Sequence, residues 1–338
     1  MLTPFFVQRS ITCERTLHWM FPSLISMSIQ HTLFMTVLSG AILFRLVLPP
    51  PTMAQKRSVT PDAQVRLRPR TPIGVRYVYK NVDGEELALF VSSPPPSAQR
   101  LTHPAMLFFH GGGFVGGPLN QFDRQAQYLA TRGLVAIQVQ YRLEDAAGTA
   151  PIDPSMQDAK SAMRWVRSHA ADLDLDPDRI GAVGGSVGGQ LAAFVGMMDG
   201  KEELGDDLSV SSRANLMVLF NPVLDLGPDS CCYRHSGDDY KARSPLYHIH
   251  SGLPSSLIFQ GESDTTVSPA MISAFVASMK RSGNDCTVEW YPNVGHGFFN
   301  VGENFYKTLK QMDTFLAEHG WLRGTPDNNA IRQLSPVM

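Results

Sequence analysis

Short apolar runs alternate with amphipathic stretches along most of the chain. Six runs have the length of strands, and the middle ones are apolar enough to be buried on both faces of a sheet: "AMLFFH", "LVAIQVQY", "RIGAVGG", "LMVLFNPV", "SLIFQG" and "TVEWYP". Helical patterns lie between or after them, at 121–132, 155–171, 191–198, 269–281 and 304–318. Strands that alternate with helices predict a mostly parallel sheet with right-handed crossovers, so we expect one α/β domain.

An antiparallel hairpin is predicted to open this domain. The runs "VRYVYK" and "ELALFVS" flank Asp83-Gly84, a dipeptide that favours a tight turn. We expect the domain to cover residues 73–322, after an extended lead-in over 55–72. Residues 323–338 are expected to form a flexible tail.

The first fifty-odd residues differ from the rest of the chain. Thr32–Phe44 is an apolar run too short for a comfortable membrane span, and it is closer to the apolar region of a secretory leader. Thr52-Met53-Ala54 is a tolerable cleavage site. We therefore expect residues 1–54 to be a signal peptide or leader, the protein to be exported to the periplasm or the exterior, and no stable membrane span to remain after processing. An uncleaved anchor and a cytosolic protein are the alternatives.

Composition and charge restrict the kinds of partner. Hydrophobic residues make up 43% of the chain and charged residues 18%, which suits a globular domain with a sizeable core. The formal net charge of −2 offers no basic surface for nucleic acid. Cys231, Cys232 and Cys286 would remain after loss of the leader, and their spacing does not indicate a metal site. One of the adjacent pair could bridge to Cys286, which would leave an odd thiol.

Two glycine-rich segments raise the question of phosphate binding. Residues 111–116 formally match the dinucleotide fingerprint, but residues 117–120 separate them from any helical pattern, so a pyrophosphate would lack its helix N-terminus. Residues 184–189 do not form a phosphate loop, because Gln190 and Leu191 stand where lysine and serine or threonine are required.

The segment "GGSVG" at 184–188 instead fits a nucleophile elbow. It lies between the predicted strand "RIGAV" and a helical pattern. A sharp strand-to-helix turn there would lift the hydroxyl of Ser186 out of the sheet, and the flanking glycines leave room for it. The motif is weak by itself, because an ordinary tight turn has the same composition.

A histidine and an aspartate downstream strengthen this interpretation. A serine hydroxyl needs a base to take its proton, and the base needs an acid to fix its tautomer. His296 lies in the glycine-flanked loop "NVGHGFFN", and Asp264 follows the predicted strand "SLIFQ". We predict that Ser186, His296 and Asp264 are catalytic. Asp225 also follows a predicted strand and is the alternative acid.

An oxyanion hole is predicted from the segment "HGGG", which follows "AMLFF". The backbone N–H groups of Gly111 and Gly112, unhindered by side chains, can converge with that of Val187 on one oxygen. Gly113 is expected to help shape the loop. His110 is expected to pin it by hydrogen bonds rather than to carry a proton.

Taken together, these residues resemble the α/β-hydrolase superfamily over roughly residues 73–322. "HGGGF" and "GGSVGG" are similar to hormone-sensitive-lipase-like esterases and their bacterial esterase and lipase relatives, although Gly185 stands where that family more often has aspartate. "SPLYHI", "LIFQGESDTTV" and "GHGFF" are more similar to the branch shared by carbohydrate acetyl and feruloyl esterases and prolyl-oligopeptidase-type peptidases. The resemblance implies a mostly parallel central sheet flanked by helices, no large cap domain, and an open site rimmed by residues 225–254.

The resemblance also implies a function. We expect a serine carboxylesterase that hydrolyses short-chain acyl esters, acetyl above all, on a small-molecule or saccharide alcohol, with no metal or organic cofactor. A prolyl-oligopeptidase-like peptidase is the nearest alternative, but the chain length leaves no room for the gating domain such enzymes carry. A non-catalytic ligand-binding protein on the same scaffold, as in plant gibberellin receptors, is the second alternative. Such proteins tend to lose a triad member, and this chain keeps all three. The sequence does not predict the oligomeric state.

Overall fold

The computed structural model describes residues 71–96, 102–144 and 152–335. The predicted leader, 1–54, and all of the predicted lead-in except residues 71–72 lie outside the described residues. Within the described ranges, no helix combines the length and the apolar character needed to cross a bilayer.

Eight strands form one sheet, in the order β1-β2-β4-β3-β5-β6-β7-β8. Their bounds are β1 Val75–Val82, β2 Glu85–Ser92, β3 His103–Phe109, β4 Val135–Val139, β5 Leu175–Gly185, β6 Leu216–Phe220, β7 Ser255–Gly261 and β8 Cys286–Tyr291. The pairs β1–β2 and β2–β4 are antiparallel, and the remaining five pairs are parallel. The predictions of a mostly parallel sheet and of an opening hairpin are confirmed.

Helices cover both faces of the sheet. Their bounds are α1 Asp123–Thr131, α2 Asp153–Ser168, α3 Val187–Met197, α4 Tyr233–Ser236, α5 Pro269–Arg281, α6 Gly302–Glu318 and α7 Asn328–Leu334. Buried side chains of α2, α3 and α5 share one apolar cluster, and those of α1, α6 and α7 share the other. Every residue of β4 and β6 is buried, which explains why apolar and polar residues do not alternate in these strands. Gln138 is the one polar residue in the two strands, and its Nε2 donates to Asp123 Oδ1 at 2.8 Å.

The C-terminal segment differs from its prediction as a flexible tail. Residues 328–334 form α7, and the side chain of Asp327 caps this helix by accepting the N–H groups of its second and third residues. The backbone N–H of Asp327 donates to the hydroxyl of Tyr128 on α1 at 3.0 Å, and Ile331 is fully buried. The prediction was wrong here because Ala330, Ile331 and Leu334 are too few apolar residues in a polar stretch to give a helical periodicity, yet they pack against the apolar cluster of α1 and α6.

The parallel strands place their carboxyl ends at one edge of the sheet. The loops that follow β3, β5, β6, β7 and β8 therefore lie together, as is usual for ligand sites in open α/β sheets. The segment 221–254, between β6 and β7, contains only α4 and two short 3₁₀ segments, Gly237–Arg243 and Pro245–Tyr247. This segment adds a wall beside the sheet edge rather than a large cap.

A buried ionic cluster ties the opening hairpin to α2. The side chain of Asp158 is fully buried and accepts hydrogen bonds from Arg142 Nε at 2.8 Å and Arg142 Nη2 at 2.7 Å. Lys80 on β1 donates to the same carboxylate at 2.6 Å. Glu203 also pairs with both cations. Such a network is costly to break at one member, because the remaining charges stay desolvated.

We predict that Asp158→Asn lowers the free energy of unfolding by about 3 kcal/mol, because the amide cannot neutralise the two cations. The matched control is Glu86→Gln, since Glu86 pairs with Arg76 and both side chains are about half exposed. That control should change stability by less than about 1 kcal/mol. Urea denaturation at pH 7 measures both values, and equal effects would contradict the prediction.

Candidate active site

The predicted nucleophile lies on the turn between β5 and α3. Ser186 has φ 57° and ψ −121°, a conformation that a residue with a side chain rarely adopts. Its N–H donates to Phe220 O at 2.9 Å, and its carbonyl accepts the N–H of Val223 at 3.1 Å. The end of β6 and the loop that follows it thus bond to both backbone polar groups of the strained residue.

The glycines around Ser186 are required by close backbone contacts. A Cβ on Gly184 would lie 2.0 Å from the carbonyl oxygen of Gly188, and one on Gly188 would lie 2.1 Å from that of Phe109. No side chain fits at either position without moving the backbone. The glycine pattern therefore reflects the elbow geometry, and no phosphate-binding role is needed to explain it.

The structure brings the other two predicted residues to this serine. His296 Nε2 lies 2.9 Å from Ser186 Oγ, and His296 Nδ1 lies 2.9 Å from Asp264 Oδ2. With Nδ1–H donating to the carboxylate, Nε2 is free to accept the serine proton. The three side chains form one hydrogen-bonded line, and the geometry has the form of a nucleophile, a base and an orienting acid.

The acid is held in its charged form. Burial would raise the pKa of Asp264, whose side chain is fully buried, but the hydrogen bond from His296 and two backbone N–H groups outweigh it. Those backbone groups donate to Oδ1 at 2.8 and 2.9 Å. The net result is a pKa below the ordinary value of 3.8, so the carboxylate is ionised at neutral pH.

The alternative acid, Asp225, does not reach the histidine. Its Oδ1 accepts the N–H of Gly227 at 2.9 Å, and its side chain lines a separate cavity of about 80 Å³ next to the site.

Asn221, which no sequence motif singled out, positions the histidine loop. Asn221 follows β6, is fully buried, and has a positive φ of 36°. Its Oδ1 accepts the N–H of Gly297 at 2.9 Å, next to His296. The only available signal was an asparagine directly after a buried strand, in "LFNPV", where its side chain can bond to nearby backbone.

His110 lies where a loop-pinning residue is expected. Its ring stacks on Tyr141 with centroids 4.6 Å apart, and its Nδ1 donates to Gly111 O at 2.8 Å. Burial lowers the pKa of His110, partly offset by that hydrogen bond, so the ring is neutral at pH 7. The hydroxyl of Tyr141 donates to the His110 carbonyl at 2.7 Å. These contacts fix the start of the glycine loop.

The donors predicted for the oxyanion hole need one correction. The N–H of Gly111 donates to Gln121 Oε1 at 2.8 Å, so it is not available to a substrate oxygen. Gly112 lines the cavity, and its N–H meets no acceptor among the described residues. Val187 begins α3, so its N–H has no partner one turn earlier. The available pair is Gly112 with Val187, and Gly113 lines the same cavity.

Ser186 and His296 line a cavity of about 410 Å³, which is the size of a small-molecule site. Glycine backbone, uncharged polar groups and a few apolar side chains form most of its wall. The lining residues are Gly111, Gly112, Gly113, Val115, Pro118, Gln121, Gly185, Ser186, Asn221, Cys231, Cys232, Arg234, His235, Thr266, His296, Gly297 and Phe299. Across the described ranges, no group of three or more His, Cys, Asp or Glu side chains could hold a metal ion.

The two adjacent cysteines contact each other at the cavity wall. Their Sγ atoms are 3.2 Å apart, and neither forms the bridge to Cys286 that the sequence suggested, because Cys286 is a free thiol buried at the start of β8. The hydrogen bond from Cys232 lowers the pKa of Cys231 to about 7. The same hydrogen bond and burial raise the pKa of Cys232.

The chain is similar to two protein families and to known esterases. The BD-FAE family matches residues 94–230, and the Prolyl oligopeptidase family matches residues 225–320. The apo form of Thermogutta terrifontis esterase 2 superposes with a TM-score of 0.72 and 39% identity, covering 77% of this chain and 100% of that chain.

Two curated relatives are also esterases. The chain is 33% identical over 244 residues to an ethyl acetate hydrolase of Pseudomonas putida, covering 65% of this chain and 74% of that protein. It is 26% identical over 240 residues to an acetylxylan esterase of Xylanibacter ruminicola, covering 66% of this chain. The chain spans only 46% of that second protein and 42% of esterase LipI of Mycobacterium tuberculosis.

We predict that iodoacetamide alkylates Cys231 in the native protein at a rate that rises with pH around a midpoint near 7, because the thiolate is the nucleophile. Cys286 should stay unmodified, since it is buried and burial raises its pKa. Peptide mass spectrometry over pH 5–9 (roughly two units either side of that midpoint) measures both sites, with Cys231→Ser as the control. Equal labelling of Cys231 and Cys286 would contradict the prediction.

Proposed function

The chain belongs to the α/β-hydrolase superfamily of serine esterases, and from this premise we propose that it hydrolyses short-chain acyl esters, acetyl above all, through an acyl-enzyme on Ser186. One observation carries the proposal: the hydrogen-bonded line from Ser186 through His296 to Asp264 ends in an open cavity. The general activity, that of a serine hydrolase acting on carboxylic esters, is supported by the relatives alone.

Acylation begins when His296 Nε2 accepts the proton of Ser186 Oγ as that oxygen attacks the ester carbonyl carbon. The ionised carboxylate of Asp264 stabilises the imidazolium that forms. The carbonyl oxygen becomes an oxyanion, and the N–H groups of Gly112 and Val187 donate to it. The same imidazolium then protonates the leaving alcohol oxygen, and the carbon–oxygen bond to the alcohol breaks.

Deacylation repeats these steps with water. His296 takes a proton from the water molecule, the resulting hydroxide attacks the acyl carbon, and the second oxyanion occupies the same donors. Collapse of that intermediate returns the proton to Ser186 and releases the carboxylic acid. The N–H donors and the base are already in position, in the loops that follow β3 and β8 and on the first residue of α3, so little rearrangement is needed.

Short acyl groups and saccharide alcohols are supported by what the relatives act on or bind. One relative is an ethyl acetate hydrolase and another an acetylxylan esterase. Structures of the Thermogutta terrifontis esterase hold propionate and butyrate. The cavity here is open at the sheet edge beside the segment 221–254, which leaves room for a bulky alcohol. An exported enzyme, as the apolar run at 32–44 predicts, would meet polymeric esters outside the cell.

We predict that 4-nitrophenyl esters from acetate to laurate are hydrolysed with kcat/KM falling steeply as the acyl chain lengthens. Ser186→Ala should lower kcat for the acetate by about 10⁴-fold or more, because the nucleophile is lost. Paraoxon should add one diethylphosphoryl group to the wild-type protein and none to Ser186→Ala. Hydrolysis of a prolyl 4-nitroanilide with no ester hydrolysis would favour the peptidase instead.

The assignment of the acid has its own test. Asp264→Asn should lower kcat by about 10⁴-fold, because the amide favours the wrong histidine tautomer. Asp225→Asn is the matched control, since it makes the same change beside the same site and should keep kcat within about threefold. The opposite pattern, a near wild-type Asp264→Asn and an inactive Asp225→Asn, would show that the acid is misassigned.

A further inference from the structure

One residue gives the catalytic cavity a charge that the mechanism does not use. Of the described residues that line it, Arg234 is the only one with a permanently charged side chain, and no aspartate or glutamate is among them. Arg234 lies on α4 and is exposed. A permanent cation in a wall without aspartate or glutamate raises the local concentration of anions and lowers that of cations. Among the described lining residues, the Cys231 thiol opposes this effect, because its pKa of about 7 leaves it partly ionised at neutral pH.

The guanidinium of Arg234 is held by only one of its nitrogen atoms. Its Nε donates to His235 Nε2 at 3.0 Å. Its two Nη groups make no hydrogen bond to any residue within 71–96, 102–144 or 152–335, and four N–H donors remain for a ligand. This contrasts with Arg142 and Arg243, whose Nη groups donate to carboxylates.

The residue behind Arg234 is fixed by a buried carboxylate. His235 Nδ1 pairs with Glu144, which lies on the loop after β4, and the two side chains are 2% and 3% exposed. With Nδ1–H donating to Glu144, Nε2 must accept, and this is the atom that receives the Arg234 donor. A buried Glu–His pair is costly to desolvate and contributes little net stability. Its result here is a histidine that presents an acceptor to the arginine in one orientation.

The same pair is attached to the glycine loop that supplies an oxyanion donor. The N–H of Glu144 donates to Phe114 O at 2.8 Å, and the ring of Phe114 packs edge-on against His235 with centroids 6.0 Å apart. Phe114 follows the glycines and has a positive φ of 64°. The position of Arg234 is therefore fixed relative to the oxyanion loop as well as to the segment 221–254 that contains it.

We propose that Arg234 binds a carboxylate carried by the substrate, so that the preferred esters of this enzyme are anionic; the inference rests on the proposed function and names its substrate class. A guanidinium with free Nη groups can donate two parallel hydrogen bonds to a carboxylate, which is stronger and more directional than a neutral pair. A carboxylate on the alcohol, as in an acetylated sugar acid, and one on the acyl chain, as in a half-ester of a dicarboxylic acid, offer the same chemistry.

Pairs of substrates that differ only in a carboxylate or an amide test whether the enzyme prefers an anionic ester. They also show whether the carboxylate belongs on the alcohol or on the acyl group. On the alcohol side, 4-acetoxybenzoate is compared with 4-acetoxybenzamide; on the acyl side, phenyl hydrogen adipate is compared with its amide. The measured quantity is the ratio of kcat/KM for the carboxylate over the amide. Arg234→Gln should lower this ratio by about 10- to 100-fold for the substrate pair, alcohol-side or acyl-side, whose carboxylate matches that of the natural substrate. Arg234→Lys should retain part of it, and added salt should reduce it.

Arg281→Gln is the control, because Arg281 is exposed on α5 and does not line the cavity. It should leave the ratio unchanged. If wild-type protein hydrolyses both members of each pair and Arg234→Gln leaves both ratios unchanged, the inference is overturned and the esterase proposal stands.

A binding measurement tests the carboxylate site at Arg234 independently of the proposed esterase activity. Calorimetric titration of Ser186→Ala with 4-acetoxybenzoate and with phenyl hydrogen adipate should give, for one of them, a dissociation constant that rises about tenfold or more on adding Arg234→Gln. Such binding together with no ester turnover by the wild-type protein would support the carboxylate site and overturn the esterase proposal. Equal binding to the single and double variants would overturn the inference.

Discussion

One close backbone contact sets the geometry of the whole site: the approach of the turn at Ser186 to the end of β3. Gly188 lies against the carbonyl of Phe109, and the residue pair Phe109 and Gly184 is in register between neighbouring parallel strands. The nucleophile and the loop that supplies an oxyanion donor are thus positioned by the same pair of strands. The conformation of Ser186 is unfavourable by itself, and it persists because the surrounding sheet over-determines it.

Chemistry and chain order together restrict which residues the sequence can offer as a triad, and the structure brings those residues within hydrogen-bond distance of one another. A serine among glycines after a buried strand, followed by an aspartate and a histidine at later strand ends, left few alternatives for Ser186, Asp264 and His296. Their spatial arrangement then follows from parallel topology, because such strands end at one edge. The central strands were predictable for a different reason: burial on both faces makes their sequences almost entirely apolar.

Contacts between distant side chains could not be predicted in this way. Gln121 occupies the N–H of Gly111, and Glu144 pairs with His235 across 91 positions of the sequence. No periodicity or motif encodes such pairings, because each depends on where the backbone brings two polar groups within 3 Å of each other. Helix α7 escaped prediction for a related reason: its stability comes from a cap and one buried side chain, and its own pattern contributes little.

The lining contributed by the segment between β6 and β7 allows substrate selection to change separately from the catalytic geometry. The groups proposed to react lie in loops that follow strands and on the first residue of α3. Cys231, Cys232, Arg234 and His235 instead belong to a segment that forms no part of the sheet. Substitutions or length changes there can alter what enters the cavity without straining the elbow. Selection, natural or in the laboratory, can therefore explore new substrates along this segment while the catalytic chemistry is inherited unchanged.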